Sequence, residues 1–157
     1  LFAPRIWNGS LLYCLDCLGA TTPFGSGCAD AGGQTLRFYA NGCADLGSPF
    51  SFDLSSPGAS PGAAAFLVMG LSDLDWLGLP LPFALDPLGA TGCQISTSHD
   101  LILGPYGFAR GAIALPIVVP LDGLLTAAPS YWQAYAFDPA QNSLGIATSN
   151  ALRVELR

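Results

Sequence analysis

The feature that most constrains the fold is the near absence of Lys and Glu. The chain contains no Lys, and Glu155 is its single Glu. Charged residues make up 10% of the 157 residues, whereas an average soluble domain has about 25%. Exposed helix faces rely on Glu, Lys, Gln and Arg, so this sequence excludes a helical bundle. The length fits one domain, and the 19 Gly and 13 Pro favour a β protein with many turns.

The same composition excludes several functions. Five Arg without any Lys cannot form the basic surface that nucleic-acid binding requires. Without Lys there is no Schiff-base chemistry and no phosphate-binding P-loop. A hydrophobic content of 51% excludes a disordered chain, because disorder requires low hydrophobicity and high charge. The net charge of −6 comes almost entirely from Asp.

Short alternating segments separated by turns predict the strands. In residues 49–54, Phe50, Phe52 and Leu54 fall on one face, as expected for a strand with one buried side. Pro116 predicts an edge strand or a bulge. The predicted strands are 34–40, 49–54, 63–71, 93–98, 100–103, 111–119, 130–138 and 144–157. For residues 63–71 a short helix is the alternative. This pattern predicts an all-β fold, a β-sandwich or jelly-roll-like domain of short antiparallel strands with long Gly/Pro-rich loops.

Two parts of the chain are expected. Residues 1–23 form an apolar N-terminal arm followed by a cysteine-containing loop, and residues 24–157 form the single β-sandwich domain. The arm should be covered by its own domain or added to a neighbouring subunit as a strand. Its candidate assembly residues are Leu1, Phe2, Ile6, Trp7, Leu11, Leu12 and Tyr13.

Asn8 lies in Asn-Gly-Ser, which has the form of an N-glycosylation acceptor. An unmodified Asn in an Asn-Gly turn is the alternative. The chain begins with Leu and has no basic segment followed by an apolar one, so we expect a processed mature protein without a signal peptide.

Five cysteines, Cys14, Cys17, Cys28, Cys43 and Cys93, are candidates for disulfides. The odd number leaves at least one free or paired between chains. Cys28 and Cys43 both follow Gly in turn-like sequence, and a bridge between them would contribute about 3 kcal/mol. Zinc binding at Cys14-x-x-Cys17 lacks a second ligand pair. Structural disulfides in an oxidising compartment are the favoured interpretation, and no metal or cofactor is expected.

No membrane span is expected either. The most apolar stretch, residues 101–121, is interrupted by Arg110 and contains Pro105, Pro116 and Pro120. A spanning helix needs about 20 continuous apolar residues.

The sequence offers few catalytic candidates. His99 is flanked by Ser98 and Asp100, but adjacent residues on a strand point to opposite faces, so these three cannot form a triad. Asp73 and Asp75 alone provide too few oxygen ligands for calcium. We therefore predict a protein that is not an enzyme, without catalytic residues.

Aromatic residues offer a binding alternative. Trp7, Trp76, Trp132, Tyr106 and Tyr131 could form a platform on which sugars stack. Packing in the core or at an interface is the favoured interpretation of the same residues.

Several motifs together resemble one known type of domain. They are 24–28 (FGSGC), 41–43 (NGC), 64–72 (AAFLVMGLS), 76–82 (WLGLPLP), 86–93 (DPLGATGC), 115–117 (LPI), 132–139 (WQAYAFDP) and 144–152 (LGIATSNAL). Over residues 24–157 the chain resembles a C-terminal domain common in large secreted and surface proteins of planctomycete-type bacteria. The resemblance implies a secreted β-sandwich module without known catalytic residues. The N-terminal extension with Cys14 and Cys17 departs from that pattern and favours self-assembly.

The functional prediction rests on how few charged residues are available to cover the surface. A folded monomer of this mass exposes roughly 7,500 Å², and 5 basic and 11 acidic residues must cover it. Monomers rarely expose large apolar patches. We expect a secreted structural subunit of an extracellular filament or surface layer, in which the arm adds a strand to the next copy. The alternative is a glycan-binding or adhesion module of the cell surface.

Overall fold

The computed structural model describes residues 17–157. Its strands are β1 (Ala20–Phe24), β2 (Arg37–Gly42), β3 (Pro49–Ser55), β4 (Ala64–Gly70), β5 (Asp75–Trp76), β6 (Leu79–Pro80), β7 (Phe83–Ala84), β8 (Gln94–Ile95), β9 (Leu101–Gly107), β10 (Ala112–Val118), β11 (Ser130–Phe137) and β12 (Ile146–Glu155). Two short 3₁₀ helices span Asp86–Leu88 and Gly123–Thr126.

Two antiparallel sheets organise these strands. The larger sheet has the order β1-β12-β11-β4-β9, and the smaller has the order β10-β3-β2. The short strands form two further pairs, β5 with β6 and β7 with β8. The all-β, sandwich-like fold predicted from the sequence is thereby confirmed.

The core lies between the two sheets. Phe50, Phe52 and Leu54 of β3 are all buried, as their alternation predicts. The Phe52 ring lies 4.8 Å from the ring of Trp132 on β11, centroid to centroid. Leu152 on β12 is also buried. Burying each such side chain contributes about 1.5–3 kcal/mol, so these alternating positions hold the sheets together.

The outer face of the larger sheet is covered as well. Gln133 and Tyr135 alternate with the core residues of β11, yet both are buried. The segment between β4 and β9 lies over them: the backbone of Ser96 bonds to Gln133, and the ring of His99 packs on Tyr135. The middle of the larger sheet is therefore buried on both faces.

Each edge strand of the two sheets carries a feature that limits further pairing. Pro23 lies in β1, Pro105 in β9 and Pro116 in β10, and a Pro on an edge removes a donor from the ladder. The fourth edge strand, β2, is occupied at Phe38 by a side chain from β12. The Asn150 amide accepts a hydrogen bond from the Phe38 N–H and donates one to the Phe38 carbonyl. The predicted edge position of Pro116 is confirmed.

Some boundaries differ from the prediction. The cysteine-containing loop expected to end at residue 23 is in part a strand: β1 pairs with β12 through Ala20–Phe24, because an edge strand tolerates Pro23. The expected boundary between residues 23 and 24 therefore falls inside a strand. Of the predicted strand 93–98, only Gln94–Ile95 pairs as a strand.

The apolar stretch considered for a membrane span folds as β9 and β10. Within residues 17–157, no helix is long and apolar enough to cross a membrane.

The turn between β5 and β6 contains a strained leucine. Leu77 has φ 51° and Gly78 has φ 83°, a pair of positive values typical of a type I′ turn. Leu77 is also 92% exposed. Placing a non-glycine residue in this region of backbone conformation costs about 1–2 kcal/mol of folding free energy, and less for Asn or Asp. Leu77 therefore destabilises this turn.

We therefore expect Leu77→Asn to raise the free energy of unfolding by about 1 kcal/mol, because Asn-Gly is the preferred type I′ sequence. Chemical denaturation measures this change. Leu74→Asn is the control, since Leu74 is 75% exposed and is not among the residues with positive φ. An equal gain in both variants would contradict the assignment of strain to Leu77.

Candidate functional site

An apolar cavity lies between the two sheets at one end of the sandwich. Its volume is about 360 Å³, within the range of ligand-binding pockets. Its walls come from both sheets and from the segment after β10. The lining residues are Phe50, Phe52, Met69, Leu71, Ile117, Val119, Pro120, Leu124, Leu125, Ala127, Ala128, Pro129, Ser130, Trp132, Val154 and Leu156. None of these side chains carries a charge.

The segment between β10 and β11 forms the outer wall. Asp122 begins the 3₁₀ helix Gly123–Thr126, and its carboxylate accepts from the Leu124 N–H at 3.0 Å. Pro120 and Pro129 limit the backbone on either side. The 3₁₀ helix therefore holds Leu124 and Leu125 at the gap between the two sheets.

The mouth of the cavity is apolar as well. Leu71 and Leu124 line the cavity, yet they are 66% and 81% exposed. Leu125 also lines it and is partly exposed. These side chains face solvent and cavity at once, so an apolar partner could contact them without rearrangement of the walls.

The described chain begins at the same end of the sandwich. Leu18 and Gly19 donate backbone N–H bonds to Asp45 Oδ1 at 3.0 and 2.6 Å. Two residues further, Gly47 N–H bonds to the carbonyl of Val119, which lines the cavity. Ala20 pairs with Glu155, next to the lining residue Leu156.

The residues of the N-terminal arm are not among those that the structure describes. The candidate assembly residues Leu1, Phe2, Ile6, Trp7, Leu11, Leu12 and Tyr13, the possible glycosylation site Asn8, and Cys14 lie outside the described residues.

Two disulfides join distant parts of the fold. Cys17 is bonded to Cys43, 26 residues away, and Cys28 to Cys93, 65 residues away. The candidate Cys28–Cys43 bridge considered from the sequence is therefore wrong. The Cys28 N–H donates to the carbonyl of Thr148 on β12. The Thr148 hydroxyl accepts from the N–H of Gln94, the residue after Cys93, so Thr148 brings the two cysteines close together. Structural disulfides are typical of proteins outside the reducing cytoplasm.

Within residues 17–157, one group of three candidate metal ligands lies close together. Cys17, Cys43 and Asp45 have ligand atoms within 4.8 Å of one another. The two sulfurs form a disulfide, so they offer no thiolate to a metal. The Asp45 carboxylate instead holds the backbone of Leu18 and Gly19.

Calcium binding at Asp73 and Asp75 gains no support from the geometry. Asp75 accepts from the Ser72 hydroxyl at 3.5 Å. Neither carboxylate belongs to a cluster of three candidate ligands within the described range, and calcium requires six to eight oxygen ligands.

His99 packs between two aromatic rings. Its ring centroid lies 4.2 Å from that of Trp76 and 5.4 Å from that of Tyr135. Burial lowers the pKa of His99 below its usual 6.5, and the Asp100 carboxylate opposes this shift. The Ser98 hydroxyl donates to Asp100 at 2.6 Å, so these neighbours bond to each other and form no Ser-His-Asp relay.

The four platform candidates within residues 17–157 do not form a shared platform, and Trp7 lies outside the described residues. Trp132 packs against Phe52 in the core, whereas Tyr131 packs edge-on against Phe24. Trp76 stacks on His99, and Tyr106 is partly buried against the core. These four side chains serve packing in separate places, as the sequence analysis favoured.

The sequence analysis missed the cavity and the buried Gln133. Gln133 is fully buried, and its amide makes four hydrogen bonds. The available signal for the cavity was residues 120–129 (PLDGLLTAAP), an apolar loop between two prolines.

Comparisons with known proteins give no further assignment. The chain matches no protein-family model, and neither the curated proteins nor the solved structures contain a match. The resemblance to the planctomycete-type domain stays a prediction based on the sequence motifs.

Proposed function

We propose that this protein is a non-enzymatic structural subunit of a secreted filament or surface layer, and that it assembles with its own copies through residues 1–13. The observation that carries the proposal is the apolar cavity with exposed leucines at its mouth, at the end of the sandwich where the described chain begins. An apolar segment and a separate exposed apolar surface on the same subunit allow the head-to-tail contacts from which open-ended assemblies are built.

The surface of the subunit supports assembly. Large hydrophobic side chains are exposed next to the cavity lining: Leu77 shares a surface depression with Leu71, and Val118 and Leu121 adjoin Val119 and Pro120 in the chain. Single exposed hydrophobic residues are common, but a continuous apolar region usually marks an interaction surface. Contact with another subunit at this end would remove much of this region from water.

The two disulfides support a location outside the cytoplasm. Export to the cell surface agrees with the low charge and with the implied secreted module. The described surroundings of His99 support a structural role, because its ring is used in aromatic packing.

The edge strands affect how the arm could bind. A long added strand would meet Pro23, Pro105 or Pro116, or the Asn150 side chain on β2. Any strand addition is therefore restricted to a few residues, and most of the binding free energy must come from apolar side chains.

Deleting residues 1–13 is expected to abolish assembly while leaving a folded domain. Negative-stain electron microscopy and sedimentation of the unreduced protein measure assembly, and peptide mapping of the Cys28–Cys93 bridge reports the fold. A double variant, Phe2→Ser with Trp7→Ser, tests the same point in the full chain. The matched control is Asn8→Gln, which removes the possible glycosylation site but no apolar side chain.

Filaments or sheets that persist after the deletion would contradict assembly through the arm. If the unaltered protein remains a dispersed 16.2 kDa particle, self-assembly itself is wrong. Retention of that monomer on a glycan panel would then favour the adhesion alternative.

A further inference from the structure

The cavity between the sheets has the properties of an acceptor for an apolar chain segment. Both sheets and the 3₁₀ helix contribute to it, and Ser130 is its single polar lining residue. Trp132 forms part of its wall and is itself held by Phe52. A site of this chemistry selects aromatic and aliphatic side chains and rejects charged ones, since it offers them no partner.

The N-terminal segment matches this acceptor in composition. Residues 1–13 include Phe2, Ile6 and Trp7 and carry one charged side chain, Arg5. A buried aromatic anchor surrounded by smaller apolar contacts is the usual arrangement at the centre of a protein interface. The cavity holds no carboxylate for Arg5, so the arginine would stay at the rim.

The position of the chain start also fits. The 16 residues before Cys17 could extend about 50 Å at about 3.3 Å per residue. Leu18 is attached to Asp45, close to the backbone that bonds to Val119 of the cavity wall. The segment is therefore long enough to reach the cavity of an adjacent subunit that contacts this end.

The surroundings of the cavity favour a second subunit over the same chain. Further exposed hydrophobic residues adjoin the lining: Leu77 shares a surface depression with Leu71, and Val118 and Leu121 are the chain neighbours of the lining residues Val119 and Pro120. A segment folded back into its own cavity would leave these side chains in water. A neighbouring subunit placed at this end could cover them while its arm fills the cavity.

We propose that the cavity lined by Met69, Leu124 and Trp132 is the acceptor site for residues 1–13 of a second copy of this chain. This inference rests on the proposed function and adds the location of the acceptor. In this arrangement Trp7 or Phe2 would occupy the space between the sheets, and Leu71 and Leu124 would contact the inserted side chain at the mouth. Because donor and acceptor are different surfaces, a subunit added through one contact leaves one of each free, and the contact generates an open chain when the arms are not exchanged between two copies and the rotation between subunits does not close a ring.

A photo-crosslinking amino acid at position 7 tests the contact directly in the full chain. Isotopically heavy and light copies are mixed before assembly, irradiated and digested, and crosslinked peptides are identified by mass spectrometry. We expect crosslinks to the peptide containing Leu124 or Met69, in heavy–light pairs. Crosslinks within one copy only would overturn the role of a second copy, and crosslinks to another surface would overturn the acceptor site.

A charge at the mouth provides a second test. Leu124→Asp should raise the concentration needed for assembly about tenfold or more, because an inserted apolar segment would bury the carboxylate. The matched control is Leu88→Asp: Leu88 is 54% exposed and does not line the cavity. The high exposure of Leu124 makes the variant compatible with folding.

The two proposals fail separately. If deletion of residues 1–13 abolishes assembly but Leu124→Asp assembles like Leu88→Asp, the arm is required and this acceptor is wrong. If the deletion has no effect, the proposed function is wrong as well.

Discussion

Replacing Gln133 with Leu is expected to lower the free energy of unfolding by about 4 kcal/mol, because several buried backbone groups would lose their partners. The Gln133 amide nitrogen donates to the carbonyls of Gln94 and Ser149 at 2.9 and 2.8 Å. Its oxygen accepts from the Ser96 N–H at 2.9 Å and from the Tyr135 hydroxyl at 3.1 Å. All four hydrogen-bonding positions of the amide are therefore used, and each buried group left unpaired costs about 1–3 kcal/mol.

The effect should be graded along this network. Tyr135→Phe removes one donor to the amide oxygen and should cost about 1 kcal/mol. Gln34→Leu is the matched control for the change of side chain, since Gln34 is exposed in a loop, and should change stability by less than about 0.5 kcal/mol.

Urea denaturation followed by tryptophan fluorescence measures all three variants. A loss of less than about 1 kcal/mol in Gln133→Leu would mean that the segment over the outer face is held by other contacts. The larger loss would show that the Gln133 amide contributes strongly to attaching this segment to the sheet, beside the Cys28–Cys93 bridge and the packing of His99 on Tyr135.

Strands with one buried face could be predicted from the sequence, because their side chains alternate. Phe50 and Phe52 in β3, and Leu152 and Val154 in β12, repeat every two residues and are buried as expected. β1 could not be predicted in this way: it is a five-residue edge strand that contains Pro23. The burial of Gln133 depends on a covering segment that is remote in sequence, so local alternation carries no signal for it.

The disulfide pairing and the cavity depend on how distant loops meet. Cys28 and Cys43 look equivalent in sequence, since both follow Gly in a turn. Only the sandwich brings Cys93 to Cys28 and Cys17 to Cys43. The cavity likewise arises where β3 and β10 lie opposite β11 and β12 and a loop closes the gap, a relation between sheets that sequence periodicity does not contain.

The second large effect is expected from the loss of the Cys28–Cys93 bridge. Changing both residues to Ala should cost about 4 kcal/mol, because the bridge closes a loop of 65 residues that would otherwise be free in the unfolded chain. Both cysteines are also buried in the core. Replacing them with the smaller alanine leaves a cavity, which lowers the free energy of unfolding further. The combined loss is a large part of the 5–15 kcal/mol typical of native proteins, about half in the middle of that range.

The Cys17–Cys43 bridge provides an internal comparison. It closes a loop of 26 residues, for which the same relation gives about 3.5 kcal/mol. Loop entropy alone therefore predicts a difference of less than about 1 kcal/mol between the two double-alanine variants. We expect a larger difference, because Cys17 is exposed whereas Cys28 and Cys93 are both buried. Chemical denaturation of both variants, after peptide mapping of the remaining bridge, measures it. A difference of no more than about 1 kcal/mol would show that the bridges act only through the unfolded chain, and a smaller loss for Cys28–Cys93 than for Cys17–Cys43 would contradict its place in the core.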